Sequence, residues 1–233
     1  PFDNVNVRKA LNLSLDRNVI TDKVLGQGQT PTYVFTPTYI EEGHLIQQPA
    51  YSKEPMAQRN EEAIKLLEEA GYSKANPLKF TILYNTNENH KKVAIAAASM
   101  WKANTKGLID VKLENQEWKT YIDSRRAGRY DAARAGWNAD YNQATTFGNY
   151  FLSNSSNNTA KYANPEYDKA IAESYVATDA EGRAKAYAKA EEILAKDFGI
   201  VPIFNYVNPR LVKPYVKGYS GKDPQDHIYL RNL

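Results

Sequence analysis

The sequence predicts an α/β fold, in which helices flank a mixed sheet. Apolar residues recur at helical spacing in several segments, and shorter segments alternate apolar and polar residues with period two. The two patterns follow one another along the chain, which is typical of α/β architecture. With 233 residues, 42% of them hydrophobic and 24% charged, the chain has the size and composition of one large globular domain or two small ones.

The helical and extended patterns can be assigned in order along the first half of the chain. Apolar positions at helical spacing predict one amphipathic helix from Val5 to Val24. Residues 30–56 contain several prolines and no sustained period, which predicts an ordered surface loop. The elements predicted after this loop are a helix at 59–72 closed by Gly71, a strand at 78–84, a helix at 91–107, a strand at 109–115, a helix at 116–128 and a strand at 129–137.

The second half of the chain carries two well-signalled helices. Asn164 as a cap, followed by Pro165, predicts the start of the first, and Thr178 with Glu181 predicts a capping box for the second, which reaches Lys196. A short apolar strand is predicted at 199–207. The Pro- and Gly-rich composition that follows predicts a boundary between a domain of residues 1–205 and a carboxyl-terminal segment of residues 206–233.

Composition excludes several classes of protein. The net charge of +3 comes from 30 basic and 27 acidic residues spread along the chain, which argues against nucleic acid as a partner. No apolar run approaches the ~18 residues that a membrane-spanning helix needs. Without cysteine the chain can form neither a disulfide nor a thiolate metal site, so cytoplasm and periplasm both remain open.

Catalytic and metal-binding motifs are mostly missing. There is no nucleophile elbow, phosphate loop, dinucleotide fingerprint or zinc-protease motif. Three scattered histidines, His44, His90 and His227, lack the close spacing of metal ligands, so no metal or cofactor is predicted.

A carbohydrate site is the alternative that the residues leave open. Asp131 and Asp140 could act as the two carboxylates of a glycosidase, with Asp123 as a further candidate, and Trp118 or Trp137 as a platform for a sugar ring. Carboxylates at strand ends more often cap or pair within the protein. A carbohydrate-active enzyme or sugar-binding module is therefore kept as the second hypothesis.

An arginine occupies a position where a buried strand would normally carry Val or Ile. In a strand over residues 130–136, Arg134 has small neighbours, and Asp140 follows just past the carboxyl end, where open α/β sheets bind ligands. A partly buried guanidinium needs an anionic partner. That partner is either a carboxylate of the protein, such as Asp140, or an anion of a ligand.

Several segments resemble the carboxyl-terminal half of the periplasmic oligopeptide-binding proteins, the receptors of peptide-importing ABC transporters. The resemblance runs essentially the whole chain, from PFDNVNVRKALNLSLDR to the end, and is carried by HKKVAIAAASMWK, LENQEWKTYIDSR, DAARAGWNADYN, SNSSNNTAKY and YVNPRLVKPYVKGYSGKDP. It implies one lobe of a two-lobed periplasmic binding protein fold that closes on an extended peptide. The chain, which has no initiator Met, is expected to be a portion of a longer protein whose amino-terminal lobe it lacks.

The resemblance also implies a non-enzymatic role for each candidate residue. The peptide α-ammonium is expected at Asp140. Its α-carboxylate is expected, at different peptide lengths, at Arg134, Arg125 and His90, and Trp118 and Trp137 are expected to wall the pockets. Leu25 stands where relatives can carry a lysine that serves another carboxylate position, so recognition is expected to differ at that length.

The same resemblance implies the setting in which the chain acts. The expected partners are oligopeptides, the membrane components of a peptide ABC transporter and the missing lobe, in a periplasmic monomer. A related alternative is a receptor for another anion-bearing solute, such as a metal chelate.

Overall fold

A computed structural model describes residues 1–221, 227–229 and 231, and the predicted α/β class is confirmed. The helices are α1 (Val5–Leu13), α2 (Met56–Glu69), α3 (Glu88–Asn104), α4 (Trp118–Arg126), α5 (Thr145–Gly148), α6 (Pro165–Val176) and α7 (Ala180–Asp197). The strands are β1 (Thr30–Pro31), β2 (Leu78–Asn85), β3 (Ile109–Gln116), β4 (Ala132–Ala133) and β5 (Phe204–Asn205). Shorter helical turns cover Val19–Leu25, Ala50–Lys53 and Asn149–Phe151.

The described strands form two sheets. Strand β2 is the centre of a parallel sheet of order β3-β2-β4, and β1 pairs antiparallel with β5 in a separate two-stranded sheet. Both parallel and antiparallel pairing are therefore present. Alternate residues of β2, Phe80, Ile82 and Tyr84, are buried against α3, as the period-two pattern predicts.

The prediction of one helix from Val5 to Val24 is wrong. Helix α1 ends at Leu13, and a π-helical turn over Val19–Leu25 follows after a break. The cause is Arg17, whose guanidinium is fully buried although the helical pattern would place it in solvent. It donates to the main-chain oxygens of Asn12 (3.0 Å), Thr32 (3.1 Å) and Pro202 (2.7 Å). In a continuous helix the Asn12 oxygen would accept from a main-chain N–H four residues later. Here it accepts from Arg17, and the helix ends.

Two buried clusters make up the core. The first joins α1, α2, α3 and one face of β2, and the second joins α5, α6 and α7. Glu191 of α7 links the predicted loop of residues 30–56 to the second cluster. Its buried carboxylate accepts from the N–H groups of Phe35 (3.0 Å) and Thr36 (2.8 Å) and from the Thr36 hydroxyl (2.6 Å). Burial raises the pKa of Glu191, and these three donors act in the opposite direction by favouring its charged form.

Two predicted strands are shorter than their patterns indicate. In the segment 129–137 only Ala132–Ala133 forms a strand, and one more hydrogen bond joins Arg134 N–H to the Leu83 oxygen at 2.8 Å. Strand β2 itself continues to Asn85, two residues past the last of these pairs. In the segment 199–207 only Phe204–Asn205 pairs, because its partner β1 is two residues long and includes Pro31, which has no N–H to donate.

Helix ends are confirmed in one case and corrected in another. Asn164 accepts a hydrogen bond from Glu166 N–H with Pro165 in the first turn, as predicted. The prediction that Thr178 caps α7 is wrong, because Asp179 is the cap and accepts from Gly182 N–H at 2.7 Å. Asp179 is one residue closer to the helix than Thr178, and its carboxylate accepts from the N–H three residues later.

The predicted boundary near residue 206 stays a prediction. The chain is tied to the lobe as far as β5, through the β1 pairing and through Arg17. Residues 222–226, 230 and 232–233 of the predicted carboxyl-terminal segment lie outside the described residues.

Replacing Arg17 with Met should strongly destabilise the lobe. The substitution keeps apolar volume but leaves several buried main-chain oxygens without a donor, which should lower the free energy of unfolding by about 3 kcal/mol or more. Denaturant unfolding measures this directly. The matched control is Arg126→Met, on the exposed side of α4, which should change the free energy of unfolding by about 0.5 kcal/mol or less. Equal stabilities of the two variants would contradict the role given to Arg17.

Candidate functional site

The candidate site lies at the carboxyl edge of the parallel sheet. The chain runs from β2 outward to β3 through α3, and then crosses to the other side of β2 through α4. Right-handed connections place these two helices on opposite faces of the sheet. Ligands of open α/β sheets bind in the crevice that this reversal creates. Asn85, His90 and Arg134 lie at this edge.

Arg134 is held by two tyrosines. The Tyr121 hydroxyl donates to its main-chain oxygen, and its guanidinium donates to the Tyr206 hydroxyl and lies 5.6 Å from the centroid of the Tyr206 ring. Within the described residues the ion pairs include none between Arg134 and Asp140. The internal Arg134–Asp140 ion pair, one of the two alternatives that the sequence allowed, is therefore not formed.

His90 lies in the first turn of α3, and its Nδ1 is 2.9 Å from Asn85 Oδ1. Burial and, as a smaller cause, the positive charge of Arg134 together lower the pKa of His90 to about 4, although a hydrogen bond with the main chain of Asn85 acts in the opposite direction. The imidazole is therefore neutral near pH 7. If Nδ1 donates to Asn85, Nε2 can donate to a carboxylate only when the ring is protonated.

Arg125, in the last turn of α4, is buried in a socket of hydroxyl groups. Its Nη2 donates to the hydroxyls of Tyr150 (3.0 Å) and Thr159 (2.9 Å), and its guanidinium carbon is 5.5 Å from the centroid of the Tyr121 ring. Burial acts to lower the pKa of Arg125, but the neighbouring Tyr121 and Tyr150 outweigh it and leave the pKa raised. Among the described residues no carboxylate forms an ion pair with it. An arginine that only interacted with the dipole at the end of a helix would lie exposed. The burial of Arg125 therefore favours a binding role.

Asp140 lies near the second core, beside Thr146. Its N–H donates to Thr146 Oγ1 at 3.1 Å, and the Thr146 hydroxyl donates to Asp140 Oδ2 at 3.3 Å. Trp137 Nε1 lies 3.4 Å from the same Oγ1, and the Trp137 ring packs edge-on against Tyr150 at 5.0 Å. The amino-terminal turn of α5 thus orients both Asp140 and Trp137.

The two tryptophans have different surroundings. Trp118 is 59% exposed and stacks on Tyr121 at 5.8 Å, beside the Arg134 main chain. Trp137 is partly buried and packs against the second core cluster. Their roles as pocket walls stay predictions.

The residues of the carbohydrate hypothesis do not converge as a catalytic pair. Asp131 Oδ2 accepts from Thr81 N–H at 2.9 Å and so caps the sheet on the amino-terminal side of β4, whereas Asp140 lies beyond the carboxyl end. The described residues contain no group of three or more His, Cys, Asp or Glu side chains that could hold a metal ion. No helix in the described part of the chain is both long and apolar enough to cross a membrane.

Sequence reasoning missed a belt of hydroxyl groups around the cationic side chains. Tyr121 contacts both arginines, and Tyr150, Thr159 and Tyr206 each accept a hydrogen bond from a guanidinium. The only signal was compositional, since the chain has 17 tyrosines. Their convergence depends on contacts between segments far apart in sequence.

Comparison with known proteins defines the class of protein. Residues 1–159 match the family model of bacterial extracellular solute-binding proteins, family 5 Middle, and the chain belongs to this family. The resemblance noted from the sequence is thereby confirmed.

Within this family, the chain is similar to proteins named as oligopeptide-binding proteins. Over 233 residues the chain is 97% identical to the periplasmic oligopeptide-binding protein OppA of Haemophilus influenzae and 54% identical to OppA of Salmonella typhimurium. It is similar to the crystal structure of Haemophilus influenzae OppA in complex with RPPGFSPFR, with 96% identity and a TM-score of 0.94, covering 100% of this chain and 45% of that one. The chain spans 43% and 42% of the lengths of the two sequence relatives. Its fold is that of a lobe of these binding proteins.

Replacing Arg134 with Ala should raise the pKa of His90 from about 4 toward, but not to, its ordinary 6.5, because the larger cause, burial, remains. NMR titration of the imidazole, assigned with a His90→Gln variant, measures this. Arg126→Ala is the control and should leave the midpoint unchanged. Between pH 6.5 and 4 the unfolded chain binds more protons at His90 than the folded chain does, so acidification through this window should also lower stability. An unchanged midpoint in Arg134→Ala would contradict the proximity of the two charges.

Proposed function

We propose that this chain is one lobe of a periplasmic receptor that binds oligopeptides with little side-chain selectivity and delivers them to an ABC importer. The observation that carries the proposal is a set of three basic side chains, His90, Arg134 and Arg125, in which the guanidiniums are held by hydroxyls instead of carboxylates. Relatives named as periplasmic oligopeptide-binding proteins, one of them crystallised with RPPGFSPFR, support it.

These three side chains suit a peptide carboxylate whose position varies with the length of the peptide. Arg134 and Arg125, which both contact Tyr121, supply guanidinium donors, and charge-assisted bonds from guanidinium to carboxylate are among the stronger hydrogen bonds. A carboxylate beside His90 would favour the protonated ring and raise its pKa. Basic side chains at different positions let a single site accept the ends of peptides of different length. With Leu25 in place of lysine, one such position lacks a cation.

The opposite end of the peptide is assigned to Asp140. A carboxylate oriented by Thr146 can receive an α-ammonium, with Trp137 beside it as part of the wall. Trp118, exposed and stacked on Tyr121, is assigned to the wall near the carboxylate end. Contacts with the peptide main chain and with charged ends do not depend on the side chains of the peptide, which accounts for broad specificity.

The proposal extends to the wider setting. We infer that the partners are oligopeptides, the membrane components of the importer and the amino-terminal lobe of the same protein, and that the receptor acts as a monomer without enzymatic activity. Exposed apolar residues of the segment after β5, among them Leu211 and Tyr215, fit packing against that amino-terminal lobe. The carbohydrate alternative has no support among these relatives.

Free and blocked peptides should separate the two charge anchors in the receptor with both lobes. The probes are RPPGFSPFR and shorter peptides as free, N-acetylated and C-amidated forms. Asp140→Asn should abolish most of the preference for a free amino terminus, because it deletes the charge that pairs with the ammonium. Arg134→Ala should weaken those peptides whose carboxylate reaches it by ~2–5 kcal/mol and should spare their amides. Calorimetry measures each affinity.

The controls are Asp123→Asn and Arg126→Ala, which change the same side chains at exposed positions of α4 and should leave affinities unchanged. A melting temperature without peptide is recorded for every variant. If Asp140→Asn melts much lower yet binds free peptides normally, Asp140 is a structural residue and not the ammonium anchor.

The 233-residue chain by itself should bind these peptides weakly. A receptor that encloses its ligand between two lobes draws affinity from both, and the main-chain contacts of the other lobe are missing here. Calorimetry with RPPGFSPFR should give at best micromolar affinity. Submicromolar binding by the isolated chain would contradict the proposal that this lobe holds only part of the site.

A further inference from the structure

Tyr206 lies against Arg134 although it follows β5, outside the parallel sheet. Its hydroxyl accepts from Arg134 Nη2, its ring lies 5.6 Å from the guanidinium carbon, and the ring of Phe204 packs against it edge-on at 5.6 Å. The Tyr206 hydroxyl therefore holds the guanidinium, and the Phe204 ring supports the Tyr206 ring from the side. Tyr206 is 39% exposed, so it does not serve mainly as a core residue.

Gly136 makes room for this contact. A Cβ atom on Gly136 would collide with the Tyr206 hydroxyl and would lie 2.8 Å from Cζ of the same ring, closer than side chains tolerate. The backbone of Gly136 does not have a positive φ, so conformational freedom is not the reason for glycine here. The glycine two residues after Arg134 is explained by the space that Tyr206 occupies.

The two tyrosines that touch Arg134 hold different parts of it. Tyr121 fixes the main chain through the Arg134 oxygen, whereas Tyr206 holds the guanidinium. In the described part of the chain Tyr206 accepts a hydrogen bond from that guanidinium, and no carboxylate is paired with it. A long, flexible side chain without such support must lose its rotamer freedom when it captures a ligand.

We propose that Tyr206 is a positioning residue for carboxylate recognition, which holds the Arg134 guanidinium beside His90 before a peptide arrives, and that Gly136 is required because it admits the Tyr206 hydroxyl. The inference rests on the proposed function for its ligand. Its mechanical part, the placement of the guanidinium by Tyr206, stands on the ligand-free structure and can be tested without peptide.

The peptide test uses Tyr206→Phe and Gly136→Ala in the two-lobed receptor. Tyr206→Phe removes the hydroxyl and keeps the ring, and Gly136→Ala displaces the hydroxyl by another route. For the free-acid peptides that Arg134→Ala weakens most, each variant should lose about tenfold in affinity, the effect expected for one hydrogen bond to a charged group. C-amidated forms should lose less than about twofold. Tyr175→Phe, which removes a surface hydroxyl bonded to Asn149, is the matched control and should have no effect.

The ligand-free test is the titration of His90 by NMR in the same variants. Release of the guanidinium should shift the midpoint of His90 in the same direction as Arg134→Ala does, and by less. An unshifted midpoint in both Tyr206→Phe and Gly136→Ala would overturn the positioning role, whatever the peptide affinities are. Equal losses for acid and amide peptides would overturn its part in carboxylate recognition. If Arg134→Ala shows no difference between acid and amide forms, the proposed carboxylate anchor fails, while the His90 titration still decides whether Tyr206 places the guanidinium.

Discussion

The buried guanidinium of Arg17 is the interaction on which the rest of the lobe depends. It binds main-chain oxygens from the end of α1, from the loop after β1 and from the segment before β5, three parts of the chain that share no regular element. Asn12 reinforces the last of these links by donating to the Ile200 oxygen at 3.0 Å. Because β5 is fixed in this way, the residue that follows it, Tyr206, can reach across to Arg134. A contact deep in the core thus determines the geometry of a surface site.

The arginines of this lobe differ in the groups that accept their hydrogen bonds. This difference distinguishes a structural arginine from those proposed to bind a ligand. Arg17 is fully buried, and each of its three nitrogens donates to an oxygen of the protein, so it serves the core and is out of reach of a ligand. Arg125 and Arg134 each donate from Nη2 alone to hydroxyls in the described part of the chain. The proposed function assigns their remaining donors to an incoming carboxylate. Hydroxyl groups can orient a guanidinium without neutralising it, which a carboxylate would do.

The sequence predicts the elements whose signals are local. Helices α2 and α3 and strands β2 and β3 follow their periodicities, and Arg134 and Asp140 attract notice from their positions alone. The break after α1 is not predictable in this way, because its cause reaches from Arg17 to Pro202, far along the chain. The same holds for Tyr206, which lies 72 residues from its partner Arg134. Sites for His90 and Arg125 came only from the resemblance to a family, since a histidine at a helix start and an arginine at a helix end are common without binding anything.

The hydroxyl socket of Arg125 makes the local electrostatics of the lobe sensitive to salt. A guanidinium held by Tyr150 and Thr159 keeps its full charge, and together with Arg134 it creates a local positive potential in a chain whose formal net charge is only +3. Small anions of the medium accumulate at such a potential. Under the proposed function a peptide carboxylate has to displace them, so its entry is an exchange of counter-ions whose free energy depends on the ionic strength and on the anion present. Peptide affinity would then depend on the ionic composition of the surroundings.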